Sequence, residues 1–346
     1  MLNIKPHKIT LVIIMYISIL LLISNDLQAQ ELDRFRDLNG RWKFSIGDDF
    51  QWADPDYDDS HWEKIWVPNS WEEQGFHGYD GYAWYRKRVK LPPNPNGSSL
   101  YLKLGYIDDV DKVYVNGKKI GATGVFPPRY TTAYNAKRIY TIPHKLYEGN
   151  DEILIAVRVF DEGGEGGIVN GDISILIDRN SVITDFDLQG DWKFKTGYFS
   201  GIPEELDYNN WNEIIVPGTW EDQGYKNYDG YACYVNEFNL KGQFIDQRVV
   251  LMLGRIDDLD MVYLNGVLIG QSGEFIKETV EMRSDIYKQT RGYYIPPKIL
   301  NDVGKNVIVV KVYDHTGSGG IYDGSIGLIS QDNYIEFWKN KRNSVR

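Results

Sequence analysis

LGYIDDVDKVYVNGKKIG (residues 104–121) and LGRIDDLDMVYLNGVLIG (residues 253–270) are two versions of one stretch. In the first, the alternating run Lys112-Val113-Tyr114-Val115 leads into Asn116-Gly117 and out into a second short run. Asn-Gly favours the two positive φ angles of a type I′ turn. Each stretch, with Asn265-Gly266 in the second, therefore predicts two strands joined by a tight hairpin. Working outward, LNGRWKF (38–44) recurs as LQGDWKF (188–194). VPNSWEEQGFHGYDGYAWY (67–85) recurs as VPGTWEDQGYKNYDGYACY (216–234). The offset is 149 between Trp71 and Trp220 and between Asn116 and Asn265, and 153 between Asp161 and Asp314. A period near 150 is too long for a solenoid repeat and is the size of a whole domain.

Both copies read as β. Leu100-Tyr-Leu-Lys-Leu104 alternates, and Ile153–Phe160 and Val307–Tyr313 are long β-branched runs. No convincing amphipathic helix exceeds about 10 residues. Many short strands with Gly and Pro turns predict an all-β chain of two tandem β-sandwich domains, residues 31–180 and 181–330. The polar tail 331–346, basic at its end, is expected as a short helix or a disordered end.

Residues 1–30 carry Lys5 and Lys8, an apolar run from Leu11 to Ile23, and a polar stretch ending at Gln30, the layout of a signal peptide. The apolar run is shorter than the roughly 20 residues a bilayer core needs. The expected destination is secreted or periplasmic, with no membrane span in the mature chain. The net charge of −11 argues against nucleic acid as a partner, since phosphates attract Lys and Arg. Cys233 is the single cysteine, so no internal disulfide forms and each domain depends on its core.

The combination of GDDFQWADPDYDDSHW (47–62), VPNSWEEQG, YDGYAWYRK, LGYIDDVDKVYVNG and VRVFDEGGEGGI resembles the galactose-binding-like jelly-roll domain. That domain is the N-terminal sugar-binding domain of family 2 glycoside hydrolases of the β-galactosidase and β-glucuronidase type. It is also similar to the jelly-roll of sialate O-acetylesterases and to bacterial sensor ectodomains. The match covers residues 38–177 and, more loosely, 188–329. The resemblance implies two jelly-roll sandwiches and a carbohydrate ligand. It implies no catalysis here, because the family 2 carboxylates sit on a separate barrel and the esterase Gly-Asp-Ser motif is missing.

Three constellations are candidates for chemistry. The first is aromatic: Trp71, Tyr79, Tyr82 and Trp84, with Tyr231 in the second copy, beside Glu72, Asp80, Arg86 and Asp229. Sugars stack C–H faces on such rings and leave hydroxyls for polar partners. The same tryptophans also suit a sandwich core. The second is the run Asp108, Asp109, Asp111. Asp109 and Asp111 share a strand face with Val113 and Val115, an odd place for charge. Calcium, a ligand hydroxyl or a structural buttress each fits that run. The third is the Gly-rich loop from Asp161 to Ile168, with Asp161 and Glu162 as candidate hydroxyl acceptors and Asp314 as counterpart. In the family 2 enzymes the matching loop leans toward the sugar.

These features predict an exported, non-catalytic carbohydrate-binding protein. Two other functions fit the same pattern. One is an accessory or remnant part of a family 2 or esterase-type enzyme, working with a partner hydrolase. The other is a structural or sensor module that binds protein.

Overall fold

The computed structural model describes residues 32–93, 98–179, 181–199, 206–273 and 285–344. The leader reading of residues 1–30 and the Phe275-Ile-Lys277 counterpart of Phe126-Pro-Pro128 lie outside them.

The described residues of the first half form ten strands: β1 (Asp33–Asp37), β2 (Gly40–Ile46), β3 (Glu63–Val67), β4 (Gly81–Lys90), β5 (Ser99–Asp108), β6 (Val110–Val115), β7 (Lys118–Thr123), β8 (Lys137–Ile142), β9 (Glu152–Asp161) and β10 (Gly167–Asp178). They form a six-stranded sheet, β3-β2-β4-β9-β6-β7, facing a four-stranded sheet, β1-β10-β5-β8. The second half repeats this plan with β11 (Phe186–Asp187), β12 (Gly190–Thr196), β13 (Asn212–Val216), β14 (Gly230–Lys241), β15 (Val249–Asp257), β16 (Leu259–Leu264), β17 (Val267–Ser272), β18 (Thr290–Tyr294), β19 (Val303–Asp314) and β20 (Gly320–Ser330). Its sheets are β13-β12-β14-β19-β16-β17 and β11-β20-β15-β18, the same strand order position for position. The chain is all-β in two sandwiches. The polar tail forms one helix, α1 (Gln331–Ser344), whose Tyr334 and Phe337 pack on Val250, Met252 and Ile329. No helix among the described residues is long and apolar enough to cross a membrane.

Each sandwich fills the gap between its sheets with one cluster of side chains. In the first, Trp42, Phe44, Trp71 and Tyr85 pack among Leu, Ile and Val from both sheets. Trp192, Phe194, Trp220 and Tyr234 take the same places in the second. The Asn-Gly pairs form the tight hairpins: φ is 47° and 76° at Asn116 and Gly117, and 48° and 80° at Asn265 and Gly266. Asn116 also staples its hairpin to the sheet, accepting from Leu154 N at 2.8 Å and donating to Leu146 O at 2.9 Å.

The segment between β2 and β3 folds over the outer face of the six-stranded sheet. Its Trp52, Tyr57 and Trp62 cover Trp84. It also encloses Arg86, which donates from Nε to Asp59 at 2.7 Å and from its other nitrogens to the carbonyls of Trp52, Asp54 and Tyr57. A guanidinium 1% exposed is tolerable because its donors are used. In the second sandwich Cys233 and Val235 replace these two residues, and Trp211, Leu206 and Phe199 form an apolar cover instead.

The sandwiches meet through contacts that include hydrogen bonds and an ion pair, with Val125 of the first against Gly224 of the second. Gly124 N donates to Asp222 O at 2.6 Å, and Lys119 pairs with Asp191 at 2.5 Å. Lys226 donates to the Thr132 carbonyl.

Candidate functional site

At one end of the first sandwich the β3–β4, β5–β6, β7–β8 and β9–β10 connections converge. The Gly-rich β9–β10 loop is held there by three carboxylates. Asp161 Oδ1 accepts from Gly163 N at 3.1 Å, Asp109 Oδ2 from Glu162 N at 3.0 Å, and Glu72 Oε2 from Gly166 N at 3.0 Å. The loop lies directly on the core. A Cβ at Gly166 would stand 2.1 Å from the Trp71 ring, and one at Gly319 would stand 1.9 Å from Trp220.

Asp108, Asp109 and Asp161 bring carboxylate oxygens within 4.8 Å of one another, and Asp257, Asp258 and Asp314 do the same in the second sandwich. Asp161 and Asp314 are fully buried, and neither Oδ2 has a hydrogen-bond partner among the described residues. Burial, with their acidic neighbours, pushes both up to about 6. Burial and the adjacent Asp109 likewise raise Asp108 above the ordinary carboxylate range. Burial acts on Asp109 too, but hydrogen bonds from Thr132, Tyr130 and the Glu162 amide outweigh it and hold it low.

Asp111 does not join this group, which corrects the expectation of an Asp108–Asp109–Asp111 metal set. β6 turns Asp111 into the core side of the sheet, where Arg138 Nε pairs with it at 2.8 Å and Tyr140 OH donates at 2.5 Å. Both charged groups are fully buried. Asp260, Arg291 and Tyr293 reproduce the arrangement. The charge on a valine face is thus a buttress between sheets, and Asp161, about 50 residues further on, takes its place in the acidic cluster.

The aromatic candidates separate by depth. Trp71 is in the core, with Nε1 donating to Tyr79 O at 3.0 Å. Tyr79 secures the turn, its hydroxyl donating to Tyr82 O at 2.7 Å. Trp84 and Arg86 lie beneath the β2–β3 segment, so neither faces an open cleft, and their loss from the second copy reflects a different cover. Asp80, Glu162 and Asp229 are exposed, and Tyr82 and Tyr231 are half-buried.

Sequence reading missed several neighbours of Tyr82. Phe126 stacks on it, with rings 6.1 Å apart and 6° from parallel. Phe160 lies 4.8 Å from Tyr82, with Tyr130 5.7 Å beyond. The Arg158 guanidinium sits 4.6 Å from Tyr82 and 4.3 Å from Phe126, and pairs with Asp48. The period of β9 puts Phe160 and Arg158 on one face, a signal readable in sequence; the arrival of Phe126 across the β7–β8 loop is not. In the second sandwich, Tyr231 packs against Tyr313 at 4.6 Å and Tyr198 at 5.0 Å.

A recess of about 700 Å³ opens at the start of β15, lined by Arg248, Tyr294, Ile295, Pro297, Leu300 and Gln331. It is at the opposite end of that strand from Asp257.

No family model matches the chain. A β-glucuronidase of Formosa agariphila is 29% identical over 37% of this chain and 13% of its own length. A β-galactosidase of Thermoanaerobacter pseudethanolicus is 30% identical over 36% of this chain and 15% of its own. The relatives of this chain are β-glucuronidases and β-galactosidases. Its sandwiches resemble the galactose-binding-like jelly-roll domains of family 2 glycoside hydrolases. Among solved structures, the β-glucuronidase of Ruminococcus gnavus aligns with 88% of this chain and 44% of its own, at 12% identity and a TM-score of 0.36. The chain thus matches only a minor part of the curated relatives.

Proposed function

We propose that this protein is an exported, non-catalytic carbohydrate-binding protein, and that the loop end of the first sandwich takes the ligand. The observation that carries this reading is the adjacency of two kinds of group. The stacked pair Tyr82 and Phe126, continued by Phe160 and Tyr130, offers aromatic surface for the C–H faces of a sugar. Exposed Asp80 and Glu162 stand at the same loops to accept from its hydroxyls. The β-glucuronidase and β-galactosidase names of the relatives support carbohydrate as the ligand class. Tyr82 and Asp80 remain from the sequence-derived set as contact residues. Trp71, Tyr79, Trp84 and Arg86 hold the surface in shape, and Glu72 and Asp161 hold the loop. Tyr231, Asp229 and Asp314 give the second sandwich a related surface without a Phe126 partner among its described residues.

A glycan-array screen of the purified protein tests this. Selective binding to one sugar class is expected, and Phe126→Ala and Asp80→Ala should each weaken it by on the order of five- to tenfold. A blank array from well-folded protein sinks the reading. The similarity to longer glycosidases favours one second reading, a recognition part serving a partner hydrolase. Co-purification of glycosidase activity would favour that reading over the stand-alone binder.

A further inference from the structure

Among the described residues, no cationic side chain hydrogen-bonds to the carboxylates of Asp108, Asp109 and Asp161 at the base of the first Gly-rich loop, or to those of Asp257, Asp258 and Asp314 at the base of the second. The guanidinium nearest the first triad, Arg138, directs Nε to Asp111, Nη1 to the carbonyls of Ala133 and Ala136, and Nη2 to the Asp109 carbonyl. None of these bonds reaches a triad carboxylate. Arg291 repeats the pattern with Asp260, Ile286, Gln289 and the Asp258 carbonyl. Among the described residues, Asp161 Oδ2 and Asp314 Oδ2 remain unpartnered, in residues with no solvent exposure. A buried carboxylate oxygen in that position is stable only when something cationic or hydrogen-bonding meets it.

We infer that each sandwich binds one hard divalent cation of the Ca²⁺ class, between Asp108, Asp109 and Asp161 in the first and Asp257, Asp258 and Asp314 in the second. The triad oxygens all lie within 4.8 Å of one another, no farther apart than two ligands of one ion with oxygens at about 2.4 Å can stand. Mg²⁺ dehydrates reluctantly and keeps several of its waters, so a largely buried set of three carboxylates suits it less well than Ca²⁺. The donors are all oxygens, with no His or Cys, which disfavours zinc and copper. Asp108 and Asp257 are partly exposed, so water can complete the shell. Both triads are present in two copies that differ at Trp84/Cys233 and Arg86/Val235. The ion would tie the end of β5 to the end of β9 and so fix the root of the Gly-rich loop. In the second sandwich it would tie β15 to β19. This inference is independent of the carbohydrate reading, and its test uses no glycan.

Chelator-stripped protein is titrated with Ca²⁺ by calorimetry. Two ions per chain are expected, one in Asp161→Asn, and none in the Asp161→Asn/Asp314→Asn double variant, with circular dichroism confirming the fold. The wild type is also titrated with Tb³⁺ under aromatic excitation, because Tyr130 lies close enough to act on Asp109 and is placed to sensitise the ion. Sensitised emission, displaced by Ca²⁺ but not by equal Mg²⁺, is expected. Two results overturn the inference. One is no saturable Ca²⁺ or Tb³⁺ binding to folded wild type up to about 10 mM, above even weak extracellular calcium sites. The other is an unchanged stoichiometry in a folded double variant. The wild-type titration decides the matter even where a variant fails to fold.

Discussion

Glu221 shows how the same residue type serves different ends according to its surroundings. Its Oε2 accepts from Gly319 N at 3.0 Å, while Oε1 is buried without a partner. Burial pushes the carboxyl up from 4.5 to about 7. Between those values the folded state keeps a proton that the unfolded chain has released, so this group's contribution to stability falls as pH rises across the window. Glu221→Gln keeps an oxygen for Gly319 and removes the titration. The variant should match the wild type near pH 4.5 and exceed it above pH 7 by on the order of 1 kcal/mol, after allowing for screening at a half-buried site. Thermal melts of both proteins across that range check this; parallel profiles would contradict it. Asp48 runs the other way. Burial raises it, but the hydrogen bonds and charge of Arg158 and a bond from Trp84 Nε1 at 3.1 Å outweigh burial and hold it below its ordinary value.

At the scale of elements, the β2–β3 segment decides the fate of Trp84. β4 alternates, so Ala83 and Tyr85 enter the core while Trp84 and Arg86 face outward. Outward is not exposed here, because Trp52, Tyr57 and Trp62 cover that face and Asp59 takes the Arg86 charge. Trp84→Ala therefore leaves a cavity between sheet and cover. It should cost about 3–5 kcal/mol, read from urea denaturation. A loss below about 1 kcal/mol would mean that the cover collapses freely or is not closed. The sequence left Trp84 open between a sandwich core and a ligand surface, because it carried no information about a cover arriving from Trp52, Tyr57 and Trp62 well upstream. The separation of Asp109 and Asp111 has the same origin. They are two residues apart in sequence, yet the Asp109 carboxylate accepts from Thr132 and the Glu162 amide at the loop end while Asp111 enters the buttress with Arg138.

Taken whole, the molecule has two main cores, one in each sandwich. No residue of the first cluster, from Leu38 to Ile177, belongs to the second, from Leu188 to Leu328. The contacts joining the sandwiches include the partly exposed pair Lys119–Asp191, a kind worth little in water. Calorimetry is therefore expected to resolve two unfolding transitions, with Trp220→Ala lowering one and leaving the other in place. A single transition that moves as a unit would instead show that the junction couples the sandwiches. The sequence by itself determined the duplication, the β class and the Asn-Gly hairpins, because these rest on spacing, alternation and local φ preference. It also marked the acids and aromatics worth examining. Only the tertiary structure decided which of them share a site. Asp161 joins Asp108 and Asp109, Phe126 stacks on Tyr82, and Trp84 is covered because strands and loops remote in the chain are brought side by side. Those contacts depend on sheet order and loop path, which no local pattern encodes.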